Sequence, residues 1–265
     1  MMGGEGKQAD EDVRSGIVKW RVIEFSENDA FMNMAIDEAV SEAVSSGASP
    51  PTIRFYGWDP DAVSIGYFQC LEKEVDLGNC AELGIDIVRR RTGGGAVYHD
   101  RAGEMTYSVI AKEGVFPKDI LESYREICGC IMDSLALIGI QSEFKPINDI
   151  IVNGKKISGN AQTRRGGVLL QHGTILYSTD PERMFCALKV SDEKIKDKMI
   201  ANVRERVTSI SQQRTVSRDE AYSALVSGFT KGKDFYLGDL SDGERSRAQE
   251  LARTRYSSKE WNFMR

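Results

Sequence analysis

Histidine is almost missing from this chain: His99 and His172 are the only two, too few for a His-rich metal cluster. Cysteine is scarce and unpatterned. Cys70, Cys80, Cys128, Cys130 and Cys186 form no zinc-type spacing, and an odd count without an export signal favours reduced thiols. No apolar run approaches the roughly 18 residues that span a bilayer. The first sixteen residues, Met1 to Gly16, lack the apolar centre of a secretion signal and read as a loose tail. A cytoplasmic protein without a membrane partner is expected. Positive charge is also short: a net charge of −5 gives no electrostatic basis for bulk nucleic-acid binding, so any anion site has to be local. What remains is ordinary globular material, 265 residues with 41% hydrophobic and 28% charged side chains, enough for a sizeable core.

Along the chain, strands and helices alternate with no internal repeat and no low-complexity linker. Val22 to Ser26 reads as a strand, and Asn28 to Ser45 as a helix on the spacing of Met32, Ile36, Ala39, Val40 and Ala43. Thr52 to Gly57 and Ala62 to Gln69 read as paired strands joined through the turn residues Asp59-Pro60-Asp61. Leu71 to Leu83 is helical, followed by strands at Asp86 to Arg91, Ala96 to Tyr98 and Met105 to Lys112. Ile120, Tyr124, Ile127, Cys128, Ile131, Leu135 and Ile138 make a helical stripe over Asp119 to Ile138. Asn153-Gly154 signals a tight hairpin between Ile150 to Val152 and Lys156 to Thr163, and Arg165-Gly166-Gly167 a second one leading into Val168 to Tyr177. Short helices follow around Pro181 to Leu188, Arg218 to Phe229 and Ser241 to Tyr256.

Two stretches carry chemistry. Arg90-Arg91-Thr92-Gly93-Gly94-Gly95-Ala96-Val97-Tyr98-His99-Asp100 sets a glycine triplet after the run Arg89 to Arg91. Such a loop lets backbone N–H groups converge on an anion, with guanidinium groups beside it. The bland alternative is a mobile turn. The second stretch, Asn148 to Thr163, combines a carboxylate, adjacent lysines Lys155 and Lys156, and the small residues Ser158 and Gly159 on one hairpin. Neighbouring strand residues leave opposite faces, so one lysine can enter a cleft while the other meets solvent. A solvated lysine pair beside a turn is the bland alternative here.

Together with His172-Gly173-Thr174, Arg54-Phe55-Tyr56, Gly66-Tyr67-Phe68-Gln69 and Glu260-Trp261-Asn262-Phe263, these stretches resemble the lipoate-protein ligase family of the biotinyl and lipoyl transferase superfamily, from about Val22 to Phe263. The resemblance implies an α+β fold, a mixed, largely antiparallel β-sheet flanked by helices. It assigns residues 17–265 to the catalytic domain, after the tail at 1–16, with the small C-terminal accessory domain of larger members absent. It implies ATP-dependent activation of lipoate to lipoyl-AMP, with Mg²⁺, then transfer to a lysine on a lipoyl domain of 2-oxoacid dehydrogenase acyltransferase subunits or on glycine cleavage H protein. A separate small accessory subunit is expected to support the activation. Arg90, Gly93, Gly94, Gly95, Ala96, Val97, Tyr98, Lys156 and His172 fall at the ATP and lipoyl-AMP site. Lys156 is the expected catalytic residue, bridging acyl carbonyl and phosphate. Asp149 and Asn148 are the candidates for Mg²⁺.

Other readings stay open. A lipoyl or octanoyl transferase of the same fold would pass the acyl group through a cysteine thioester, yet no cysteine lies between Ile131 and Phe185, which leaves Cys186. A subunit that only transfers preformed lipoyl-AMP is a second alternative, and a non-catalytic binding subunit a third. Biotin ligation is disfavoured, because the arginine and glycine interleaving of that loop is absent.

Overall fold

The computed structural model describes residues 18–189 and 193–265; the tail expected over 1–16 lies outside the described residues. The first half runs β1 (Lys19–Asn28), α1 (Ala30–Ser46), β2 (Thr52–Trp58), β3 (Ala62–Ile65), α2 (Leu71–Glu74), α3 (Leu77–Leu83), β4 (Asp86–Arg89), β5 (Val97–His99), β6 (Glu104–Lys112) and α4 (Ile120–Leu137). The second half runs β7 (Glu143–Lys145), β8 (Asp149–Val152), β9 (Lys155–Arg165), β10 (Val168–Leu176), α5 (Pro181–Ala187), α6 (Glu193–Arg206), α7 (Ile210–Gln213), α8 (Arg218–Thr230), β11 (Asp234–Leu237), α9 (Asp242–Leu251) and α10 (Lys259–Asn262).

Polar caps set the helix limits. Asp29 accepts from the Met32 N–H at 2.7 Å to start α1, and Asp119 accepts from the Glu122 N–H at 2.9 Å to start α4. Ser217 with Glu220 and Ser241 with Glu244 form reciprocal capping boxes on α8 and α9. Glu244 does more, since its carboxylate takes both Arg21 Nη atoms at 2.6 and 2.7 Å and ties α9 to β1.

The large sheet has the order β11-β1-β2-β6-β10-β9-β8-β7. It is parallel at β11-β1-β2 and antiparallel from β2 onward, an α+β arrangement. Helices α4 and α8 cover one face, packing Ile127, Ile131, Leu135, Leu225 and Phe229 on Phe55, Tyr107 and Leu169. Helices α1 and α9 cover the other, where Met34, Val40, Ala248 and Leu251 meet Tyr56, Trp58, Ile110 and Leu170. A second sheet, β4-β3-β5, packs over Cys80, Leu71 and Ala187.

The pairing expected between the strands at 52–57 and 62–69 does not occur. β2 pairs with β1 and β6, whereas β3 pairs with β4 and β5 in the small sheet. Every residue of β2 is buried, so its two flanks are already taken inside the large sheet, and the Asp59-Pro60-Asp61 segment crosses between sheets. The helix expected over 71–83 is two helices; β7 and β11 were not anticipated, nor were α6, α7 and α10 as separate helices. The hairpin at Asn153 (φ 51°) and Gly154 (φ 77°) forms as the dipeptide dictates.

Candidate active site

The site begins with a bulge. Between β8 and β9 the register shifts, Ile150 facing Ser158 but Ile151 facing Lys156. One extra residue reverses the face on which the next side chain emerges. Lys156 therefore leaves on the side of Gly159, where an added Cβ would fall 2.6 Å from Nζ. Its ammonium lies 2.7 Å from Asp149 Oδ1. Lys155 turns elsewhere, donating to the Arg204 carbonyl at 3.1 Å. Asn148 and Asn160 exchange side-chain amide bonds to one another's backbone carbonyls, which fixes the β8–β9 floor beside Lys156.

Above this floor opens a cavity of about 390 Å³, in the range of about 300–1,000 Å³ usual for small-molecule sites. Of the residues singled out in the sequence, Arg90, Gly94, Gly95, Ala96, Val97, Tyr98, Asn148, Lys156 and His172 line it; Gly93 and Asp149 do not, although Asp149 holds the lysine that does. Much of the remaining wall is apolar, with Met34, Trp58, Leu176, Met184, Val203 and Val207. None of the cysteines is a lining residue. Burial pushes the Cys80 thiol up to about 11 and the Cys128 thiol up to about 12, and it raises Cys130 as well, all away from thiolate.

The arginine run is turned inward. Arg89 is fully buried and donates to the carbonyls of Gly66 (3.2 Å), Tyr67 (3.0 Å), Gln69 (2.7 Å), Trp261 (3.0 Å) and Asn262 (2.7 Å). Its own carbonyl accepts from the Trp261 indole at 2.8 Å, so the C-terminal segment latches the loop at 66–69. Arg90, 5% exposed, gives Nη1 to Ser64 O (2.9 Å) and Oγ (3.1 Å) and Nη2 to the carbonyls of Gly93 (2.8 Å) and Gly95 (2.7 Å). Burial draws its guanidinium down to about 10, which leaves it charged at neutral pH. Arg91 pairs with Glu38 at 3.0 Å.

Behind the cavity lies a buried polar network that joins Arg54, Thr92, His99 and His172, all within stretches singled out in the sequence, to Asp37, Ser64, Glu104 and Ser108, which were not. His172 Nδ1 is 3.2 Å from Asp37 Oδ2, and its Nε2 is 2.7 Å from Thr92 Oγ1. The same carboxylate takes Arg54 Nη1 at 3.0 Å and Ser108 Oγ at 2.7 Å. Burial alone would raise Asp37, but the His172 hydrogen bond and the Arg54 charge outweigh it and hold the acid below its ordinary value. A second set repeats the pattern: His99 sits between Ser64 Oγ and Glu104 Oε1, each at 2.8 Å, stacked on Trp58. Both imidazoles are thus oriented by a carboxylate at one nitrogen and a hydroxyl at the other. Asp37 stands on the apolar stripe of α1 and Arg54 in the middle of an apolar strand, and those two misfits were the signal in the sequence.

The model of the lipoyl protein ligase A/B catalytic domain matches residues 29–230. Octanoyltransferase LipM of Geobacillus kaustophilus is 39% identical over 93% of this chain and 98% of its own. Octanoyltransferase LipM of Anoxybacillus flavithermus is 37% identical over the same shares. Among solved structures, a bi-partite lipoate protein ligase from Thermoplasma acidophilum, described with its E2 lipoyl domain, is 36% identical over 93% of this chain and 96% of its own, with a TM-score of 0.85.

These relatives correct the expectation of an ATP-dependent lipoate ligase: the curated proteins are octanoyltransferases. A transferase receives its acyl group already activated, so ATP and Mg²⁺ leave the account as co-substrate and metal. The donor set agrees. Asp149, the one carboxylate expected to hold Mg²⁺, is engaged by the Lys156 ammonium instead.

Proposed function

Because the chain belongs to the lipoyl protein ligase A/B catalytic domain family, we propose that it is an acyltransferase that carries an octanoyl or similar medium-length acyl group from a carrier thioester to a lysine of an acceptor lipoyl domain. The observation that carries this reading is the cavity itself, in which apolar walls end at one ammonium, Lys156, and a turn of glycine backbone. The walls suit a hydrocarbon chain through burial of its methylene groups. The polar end suits a reacting carbonyl. The curated relatives support transfer. The structural relative's lipoyl domain suggests the class of acceptor, with 2-oxoacid dehydrogenase and glycine cleavage H proteins as the members to try.

The acceptor amine attacks the thioester carbonyl directly. A tetrahedral oxyanion forms, stabilised by the Lys156 ammonium, a fixed charge at the place where negative charge develops. The C–S bond then breaks, and the proton lost by the amine goes to the leaving thiolate; the products are an amide and a free carrier thiol. No enzyme thiol takes part, in keeping with a cavity that none of the cysteines lines. An accessory subunit for activating free acid has no role in this reaction. The chain works in the cytoplasm, where such carriers and acceptors meet.

The test is to incubate the purified chain with octanoyl-carrier thioester and a lipoyl domain in the absence of nucleotide, and to follow the acceptor by mass spectrometry. Octanoyl amide on the acceptor lysine is expected. Failure to acylate it without ATP would overturn the reading.

A further inference from the structure

We propose that Tyr107 is a positioning residue whose hydroxyl, acting through Asn160, fixes the start of β8 and with it the Asp149–Lys156 pair. The inference deepens the acyl-transfer reading and rests on it. Its ground is a row of three residues across β6, β10 and β9, in which Tyr107 faces Gly173 and Gly173 faces Asn160. Tyr107 and Asn160 therefore project from the same face of the sheet. A Cβ on Gly173 would overlap Asn160 Oδ1, so glycine there leaves the gap through which the Tyr107 hydroxyl reaches that oxygen, at 2.7 Å. Tyr107 itself does not line the cavity, and it acts on the site only through its neighbours.

Only one direction of hydrogen bonding is open to this row. The Asn148 carbonyl accepts and cannot donate, and it takes the Asn160 backbone N–H at 3.1 Å and Asn160 Nδ2 at 2.9 Å. Asn160 must then present Oδ1 on its other side, where it needs a donor. The Tyr107 hydroxyl supplies one, because its oxygen already accepts from Gln171 Nε2 at 2.8 Å, and Gln171 is held in turn by Gln162 Nε2 on its Oε1 at 3.0 Å. Every donor points from Gln162 toward Asn148. Burial raises the Tyr107 phenol well above its ordinary value, so the proton it shares with Asn160 stays on the phenol oxygen.

The far end of this chain of bonds is the floor of the site. Asn148 returns a bond from Nδ2 to the Asn160 carbonyl, so its side chain and its carbonyl are both tied to one residue. The next residue, Asp149, faces Gly159 across the β8–β9 ladder and holds Lys156 Nζ at 2.7 Å. Loss of the Tyr107 hydroxyl leaves Asn160 Oδ1 buried without its donor. The Asn160 amide is then no longer fixed in rotation, and the start of β8 loses its hold.

The experiment compares the full chain with two phenylalanine variants. Tyr107→Phe removes the oxygen and keeps the ring against Phe229. Tyr222→Phe is the control: its hydroxyl accepts from the Phe25 N–H at 3.0 Å and its ring packs on Phe55 in the same apolar cluster, away from the cavity lining. Each is assayed for kcat and KM with octanoyl-carrier thioester, and hydrogen exchange of the Asn148 side-chain amide is followed by NMR.

Tyr107→Phe is expected to lose about tenfold or more in kcat with KM unchanged, since a group misplaced by a change far from the reacting atoms loses up to about 10²-fold. Exchange at the Asn148 amide should quicken in the same variant. Tyr222→Phe should alter neither. Unchanged kcat or unchanged exchange in Tyr107→Phe, a rise in KM alone, or an equal kcat loss in Tyr222→Phe overturns the proposal. Should Tyr107→Phe not fold, Gln171→Met, which frees the hydroxyl to rotate, decides by the same criteria. A wild-type chain that makes no amide, while exchange at Asn148 still answers to Tyr107, rejects the transferase reading and keeps the chain of bonds. Normal transfer by Tyr107→Phe does the reverse.

Discussion

Replacing Lys156 with methionine separates what the ammonium does for the reaction from what it does for the fold. The ion pair with Asp149 is short, 2.7 Å, but its side chains are 41% and 32% exposed. Pairs so open to solvent contribute about 0–1 kcal/mol. For a chain of this size, that converts to a melting shift of no more than about 2–4 °C. Loss of one charge fixed at a developing oxyanion costs about 2.7–4 kcal/mol of barrier, or about 10²–10³ in kcat. Methionine keeps most of the side-chain volume, so the Gly159 floor stays filled. The assay pairs a thermal melt with steady-state transfer from octanoyl-carrier thioester. A near-normal melt with a kcat at least about 10²-fold down is the expected outcome. Undiminished kcat would refute the assignment of Lys156, and a large fall in melting temperature would show that the pair is structural.

Other outcomes follow from the same geometry. Asp37→Ala strands the buried Arg54 guanidinium, and breaking a buried pair in this way costs about 3–5 kcal/mol; Glu42→Ala, which breaks the half-exposed Arg247 pair, should cost no more than about 1 kcal/mol, so similar urea midpoints for the two variants would contradict the burial argument. Asp37 titrates below its ordinary 3.8 in the fold, so its stabilisation is complete above that value and is lost as pH falls through the depressed one. The stability gap between wild type and Asp37→Asn should narrow in acid, and a gap that widens there would reverse the sign. Cys186→Ser should transfer at the wild-type rate, with no acyl adduct on the intact protein by mass; lost turnover would restore a thioester relay.

Legibility in the sequence followed the range of the interaction. The hairpin of β8 and β9 was readable because Asn153-Gly154 fixes its own turn, and α4 because its stripe is local. The mispairing of β2 and β3 came from the same habit: a turn between two apolar stretches implies a hairpin, whereas burial on every residue of β2 depends on partners far along the chain. At the site, Lys156 and the glycine loop were visible as residue types. Their orientation was not. Strict alternation cannot say which face Lys156 takes, since a bulge resets it. The arginine run read as charge offered to a ligand, because composition does not disclose that carbonyls 20 to 173 residues away claim Arg89.

That latch has a consequence for the order in which the protein comes to life. Arg89 emerges from the ribosome 173 residues before the Asn262 carbonyl that completes its shell, an interval on the order of ten seconds or more at ordinary synthesis rates. Over that interval the nascent chain can assemble β2, β6, β9 and β10, yet the loop at 66–69 lacks its C-terminal clasp. Closure of that loop is thus a late event that waits for α10.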